Sequence, residues 1–353
     1  MSNAEIFSIA GRQIGSDCKP YIIAELSGNH NQSIDRALAL VDAAADAGAD
    51  AIKLQTYTAE TMTLNSTMPG FVIDNPESLW HGRSLYDLYE EAHTPWEWHQ
   101  ALFERAKEKG ITIFSSPFDK TSVDFLETLN VPCYKVASFE CIDIPLIRYI
   151  ASKGKPMIVS TGMATLAEID DAVRAMREEG CEHFVLLKCT STYPAKAYNS
   201  NIATIPHMKG LFHCEVGLSD HTLGSGAAVA AVALGACVIE KHFTLSRADG
   251  GVDSAFSMEP DELKRLVQDT ETAHQAMGAI QYGPLSDELG SVQFRRSLYL
   301  CQDVKKGDVL TPYNVRAIRP GFGLPPKEID KVLGCTVTSD LPAGTPLSWS
   351  LLK

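Results

Sequence analysis

A short apolar run followed by an amphipathic stretch recurs eight times between Tyr21 and Gly278, and few folds accommodate that rhythm. The apolar runs span residues 21–26, 51–55, 111–115, 133–136, 157–160, 184–188, 215–218 and 238–242. They are short, and several are rich in β-branched residues, as parallel strands buried on both faces require. Helical patterns follow at 34–47, 95–109, 119–129, 145–152, 166–179, 202–209, 225–234 and 260–278. A doubly wound sheet also alternates in this way. Eight units in roughly 260 residues fit a closed (β/α)8 barrel better.

Punctuation residues mark several boundaries. Thr94 and Pro95 are expected to cap and open one helix, with Gly110 closing it. Asp119 and Thr165 are expected caps of two others. Residues 8–14, with Gly11-Arg12 at a turn, are expected to form a hairpin before the first strand. A long irregular insert follows the second strand. Past Gly283-Pro284 the texture changes to short strands broken by Gly and Pro. The expected organisation is a barrel over 1–282, a linker over 283–294, and a small C-terminal domain over 295–353.

The net charge of −13 argues against nucleic acid or an anionic membrane as partner, although a locally positive pocket for a small anion remains compatible with it. Nine scattered cysteines without a CxxC pair read as reduced thiols in a cytoplasmic protein. Residues 1–9 lack the basic start and apolar core of a leader, and no run of about 18 apolar residues predicts a membrane span.

In a barrel of this kind chemistry collects where strands end. Here those ends are unusually polar. Lys53 and Lys135, with the hydroxyls of Ser138, Ser160 and Ser219, suit a phosphate or carboxylate. His221 and His242 end adjacent strands, so their rings can converge on one divalent ion, which Glu25 and Glu140 can complete or orient. A lone histidine at a strand end is more often a satisfied polar group than a ligand. A buried Lys–Glu pair is as often structural as catalytic. The convergence of all eight ends on one rim carries the reading.

The strings themselves resemble the sialic acid synthase family, which includes the pseudaminic, legionaminic and neuraminic acid synthases. The resemblance rests on AELSGNHNQ at 24–32, ADAIKLQ at 49–55, YKVASFE at 134–140, STGM at 160–163, KCTSTYP at 188–194, VGLSDHT at 216–222 and EKHF at 240–243. Residues 295–353, with RPGFGL at 319–324, resemble the family's antifreeze-like (SAF) domain. The nearest likeness is to the pseudaminic branch, through ELSGNHNQ at 25–32 and SLYDLY at 84–89 followed by TPW at 94–96. KCTS stands at 188–191 where the neuraminic branch has HCTN, which points at Ser191 to a different sugar.

The resemblance implies condensation of phosphoenolpyruvate with an amino-sugar aldehyde and water. For the pseudaminic branch the aldehyde is 2,4-diacetamido-2,4,6-trideoxy-L-altrose; N-acetylneuraminate and legionaminate synthesis are the alternatives. It assigns Lys53, Lys135, Ser138, Ser160, Ser219 and Ser191 to phosphoenolpyruvate, and Glu25 and Glu140, with Lys53, to the reacting carbons. Tyr193, Asp253 and Arg319 fall to the sugar, with Arg319 offered to the partner's site in a domain-swapped homodimer. His221 and His242 fall to the metal, manganese first, with magnesium or cobalt as alternatives. Two rival readings stand beside it: a Schiff-base aldolase using Lys188, and a glycan-binding protein with an inactive barrel.

Overall fold

The computed structural model describes residues 6–353, so the reading of residues 1–9 falls partly outside the described residues. The chain opens with a hairpin of β1 (Phe7–Ile9) and β2 (Arg12–Ile14), paired antiparallel. Eight strands then follow: β3 (Tyr21–Glu25), β4 (Ala51–Thr56), β5 (Thr112–Pro117), β6 (Tyr134–Val136), β7 (Met157–Ser160), β8 (Phe184–Cys189), β9 (Glu215–Ser219) and β10 (Val238–His242). They form a closed parallel barrel in chain order, sealed where β10 pairs with β3. This is the expected (β/α)8 architecture.

Strict alternation divides each strand between two cores. Ile22, Ile52, Val159, Leu186, Val216 and Ile239 point outward into the large cluster shared with the helices. Ile23, Ala51, Phe114, Ile158, Val185 and Val238 point inward. The inward cluster also contains Phe7, Ile9 and Ile14, so the hairpin packs its apolar side against the barrel interior. At Gly217 an added Cβ would come within 2.3 Å of the Val238 carbonyl oxygen and 2.6 Å of Leu187, so only glycine fits that inward position.

Caps fix where the helices start. Ser33 accepts from the Arg36 amide ahead of the helix Ile34–Asp46, and Asp119 accepts from Thr121 and Ser122 ahead of Lys120–Thr128. Thr165 and Glu168 form a reciprocal capping box ahead of Leu166–Glu178. Thr94 does not cap. The residue before a proline is pushed to extended backbone, Pro95 leads only a 3-10 turn (Trp96–Trp98), and the α-helix begins at His99. Thr94 is buried instead, its hydroxyl without a partner.

The chain divides into two compact units, the second over Ala279–Lys353. In that unit β11 (Ser297–Leu300) pairs with β12 (Val315–Ile318), and Leu298, Leu300, Leu310, Val315, Val332 and Leu347 make its core. The RPGFGL string has a physical reason here. An added Cβ at Gly323 would sit 2.4 Å from the Leu298 carbonyl oxygen, while the Leu324 carbonyl accepts from the Leu298 amide and the Leu324 amide donates to the Leu347 carbonyl.

Candidate active site

The inward parity that fills the barrel with hydrocarbon at one end delivers polar groups at the other. On β10 the inward residues after Val238 are Glu240 and His242; on β4 they are Lys53 and Gln55. Register then sets the rows. His242 pairs with Glu25 across β10 and β3, and Glu25 pairs with Lys53 across β3 and β4. These residues line one cavity of about 620 Å³, a size suited to small-molecule substrates.

Lys53 lies at the centre of the charge network. Its Nζ is 3.0 Å from Glu25 Oε2 and 3.1 Å from Glu240 Oε2. Burial opposes its charge, but Glu240 and Glu25 outweigh that and hold it above the usual lysine range. Lys135 stands 3.6 Å from Glu240 Oε1 and donates to Ser160 Oγ at 2.7 Å. There burial prevails and lowers its pKa. Ser219 donates to Glu240 Oε1 at 3.0 Å. Glu240 and Gln55, which donates to Glu25 Oε1 at 2.6 Å, are site residues to which the strand-end reading gave no role. Their signal was parity: each lies two positions from a residue already singled out.

Ser138, Gly162 and Ser191 converge. The Gly162 amide donates to Ser138 Oγ at 3.2 Å, and a Cβ on Gly162 would stand 2.7 Å from Ser138 Oγ and 2.3 Å from Ser191 Oγ. A side chain at 162 would fill this hydroxyl-lined cradle. Glu140, on the short 3-10 turn Phe139–Ile142, reaches the same cavity. Burial raises its pKa to about 7, and its Oε2 has no partner. Glu25 is the opposite case. Burial works against its charge, but Lys53, then His242, outweigh it and hold the carboxyl far below the usual range. The two carboxyl groups assigned to the reacting carbons therefore differ in proton content near neutrality.

The two histidine rings stand 5.2 Å apart between centroids. His221 Nδ1 lies 2.9 Å from the Thr190 carbonyl oxygen, which only accepts, so that nitrogen carries a hydrogen and, in the neutral ring, Nε2 keeps its lone pair. His242 Nε2 is 3.4 Å from Glu25 Oε2, while its buried Nδ1 has no hydrogen-bond partner. An orphaned imidazole nitrogen beside carboxylates fits a cation. Among the described residues no group of three or more His, Cys, Asp or Glu is placed to hold one, so the pair would need water or substrate oxygen to complete the shell.

Tyr193 packs against His221 at 4.5 Å between ring centroids and belongs to the cavity wall. Asp253 also lines it, 3.8 Å from His242 Nδ1 and bonded to the Ser27 hydroxyl. Arg319 belongs to the second unit, where it is exposed. Lys188 is not among the cavity residues. It shares the outward parity of Phe184 and Leu186, and its Nζ donates to the Cys189 carbonyl at 2.7 Å. An imine-forming lysine must face the substrate, so this placement removes the basis of the aldolase reading.

Residues 40–282 match the NeuB family and residues 295–353 match the SAF domain. The chain is 46% identical to the pseudaminic acid synthase of Campylobacter jejuni, over 95% of its own length and 98% of the relative's. It is 37% identical to the N,N'-diacetyllegionaminic acid synthase of Legionella pneumophila, over 100% of this chain and 99% of that one. A crystal structure of N-acetylneuraminic acid synthetase from Leptospira borgpetersenii superposes with a TM-score of 0.73 at 31% identity, covering 84% of this chain and 98% of that one.

Proposed function

The chain belongs to the NeuB family, and on that premise we propose that it is an enzyme of pseudaminic acid synthesis. It condenses phosphoenolpyruvate with 2,4-diacetamido-2,4,6-trideoxy-L-altrose and water, releasing phosphate. The observation that carries the chemistry is one buried lysine, Lys53, shared by Glu25 and Glu240 beside the Lys135–Ser160 pair, under two convergent imidazoles.

Lys135, Ser160 and the Ser138–Gly162 cradle hold the anionic groups of phosphoenolpyruvate, with Lys53 on its other side. Such donors are fixed in advance, so binding needs little reorganisation. The enol carbon attacks the sugar's aldehyde carbon, and the carbonyl oxygen takes a proton. Glu140 carries a proton near neutrality and acts as the donor. Positive charge then develops at the phosphate-bearing carbon, where the ionised Glu25, held by Lys53 and Gln55, stabilises it. Water adds there, and the tetrahedral intermediate breaks its carbon–oxygen bond to phosphate.

His221 and His242 would hold a divalent cation, manganese first and magnesium or cobalt next, which supplies Lewis-acid polarisation of the sugar carbonyl when bound. Tyr193 and Asp253 face the sugar beside them. The same reading takes the protein as a domain-swapped homodimer in which Arg319 serves the partner's barrel. It also places the protein in the cytoplasm: all nine cysteines are free thiols, and no described helix is long and apolar enough to cross a membrane.

Phosphate release from phosphoenolpyruvate, followed side by side with the pseudaminic, legionaminic and neuraminic hexose precursors, tests the reading. The altrose derivative is expected to be used best. Preference for either of the other hexoses, or no phosphate from any of them, overturns it.

A further inference from the structure

The cavity has two chemically different sides. Strand ends supply charged groups; most of the apolar lining comes from one segment, residues 57–94, between β4 and the helix that begins at His99, with Phe118, Phe139 and Val252 beside it. That segment contains six carboxylates and Arg83, yet none of these seven charged residues lines the cavity. It presents Met62, Ile73, Trp80, Leu85 and Leu88 instead, with a few hydroxyls such as those of Thr61 and Ser78.

The wall is fastened in place. Trp80 Nε1 donates to the Val252 carbonyl at 3.0 Å, and Gln32 Nε2 donates to the carbonyls of Glu91 at 2.8 Å and His93 at 3.0 Å. Ile73 and Gly82 bond across a short bridge between Val72 and Ser84. At Gly28 an added Cβ would meet Ala92 Cα at 3.2 Å and Val252 Cβ at 3.3 Å, so the segment's end seats directly on backbone. The wall also stands one ring away from the imidazoles. Tyr193 is 4.5 Å from His221 on one side and 5.9 Å from Trp80 on the other.

We infer that this wall is the subsite selecting the sugar's distal end, and that Trp80, Leu88 and Met62 determine a preference for a deoxygenated, N-acylated hexose. The inference rests on the synthase reading above and names the part of the chain that chooses the sugar. An aldehyde held at His221 and His242 sends the rest of its chain past Tyr193 onto hydrocarbon. A methyl terminus or acetyl methyl gains contact there. A hydroxyl set against Met62 and Leu88 loses water and meets no polar group on those side chains, and an apolar pocket rejects such an analogue by about 100-fold.

The test compares kcat/KM for 2,4-diacetamido-2,4,6-trideoxy-L-altrose and its 6-hydroxy counterpart at saturating phosphoenolpyruvate. The unaltered enzyme should favour the 6-deoxy sugar by about 10- to 100-fold. Leu88→Asn and Met62→Gln should each narrow that ratio at least about 5-fold while KM for phosphoenolpyruvate stays within about 2-fold. Met62 is only half buried, so its variant covers the case in which Leu88→Asn does not fold. An unchanged ratio in folded, active variants overturns the inference alone. No phosphate release from either sugar by the unaltered chain overturns the synthase reading, and the inference with it.

Discussion

Lys241 Nζ lies 3.0 Å from Asp220 Oδ2, and each residue immediately precedes one of the two cavity histidines, His242 and His221. The pair is buried on the outer face of the barrel. Asp220 Oδ1 also accepts from the Thr222 amide at 2.9 Å, while Lys241 donates to the Thr222 carbonyl and, at 3.2 Å, to that of Gly224. The ends of β9 and β10 are thus joined behind the imidazoles.

Breaking a buried pair of this kind leaves a charge without compensation, at a cost of about 3–5 kcal/mol. Lys241→Met is expected to lower stability by that order in urea titration, and to weaken divalent-ion binding in calorimetry. The double variant Asp220→Asn, Lys241→Met should recover part of the lost stability. Equal stability of Lys241→Met and the unaltered chain would deny the pair this role.

Glu140 is expected to give the activity an alkaline limb. Its pKa of about 7 is set by burial, so the carboxyl is protonated below that value and loses its proton above it. If the proton is the one delivered to the sugar oxygen, kcat/KM falls as pH rises through about 7. Glu140→Gln should lose at least about 100-fold in rate and flatten that limb, as expected of a positioned acid. The sign for stability is the same: the folded chain binds this proton more tightly than an unfolded one, so stability declines as pH rises from near 4.5 to near 7.

Lys188 separates two chemistries. Because it faces the helices, Lys188→Ala should leave kcat/KM within about 3-fold, and borohydride should trap no keto substrate on the chain. Loss of activity with covalent trapping would restore the imine reading.

His242→Ala should abolish turnover and weaken metal binding, and Arg319→Ala should be impaired in sugar use. If Arg319 serves the partner's site, mixing the two inactive chains rebuilds one complete site in half of the dimers, about a quarter of full activity. No recovery in mixtures shown to exchange subunits would place Arg319 elsewhere.

Much of this site was legible because a strand's period is two. Glu25, Lys53, Lys135, Ser160, Ser219 and His242 carry both the right chemistry and the inward parity, and residue types at strand ends were enough to find them. The same rule, applied strictly, turns Lys188 outward and Glu240 inward from the sequence alone. The 57–94 wall was not legible. Its path depends on distant anchors, such as Gln32 to Glu91 and Trp80 to Val252, which no local pattern encodes. Thr94 failed for a related reason, because its composition suits a cap while the proline after it and the core beside it decide otherwise.

The hairpin that packs Phe7, Ile9 and Ile14 against the barrel interior fills that end with hydrocarbon, while Lys135 and Ser160, 1% and 2% exposed, lie deep in the polar cavity at the strand ends. If phosphoenolpyruvate rests by Lys135 and Ser160 and the sugar against the less buried Met62 and Trp80, the anion is expected to bind first, an order that initial-rate kinetics would check.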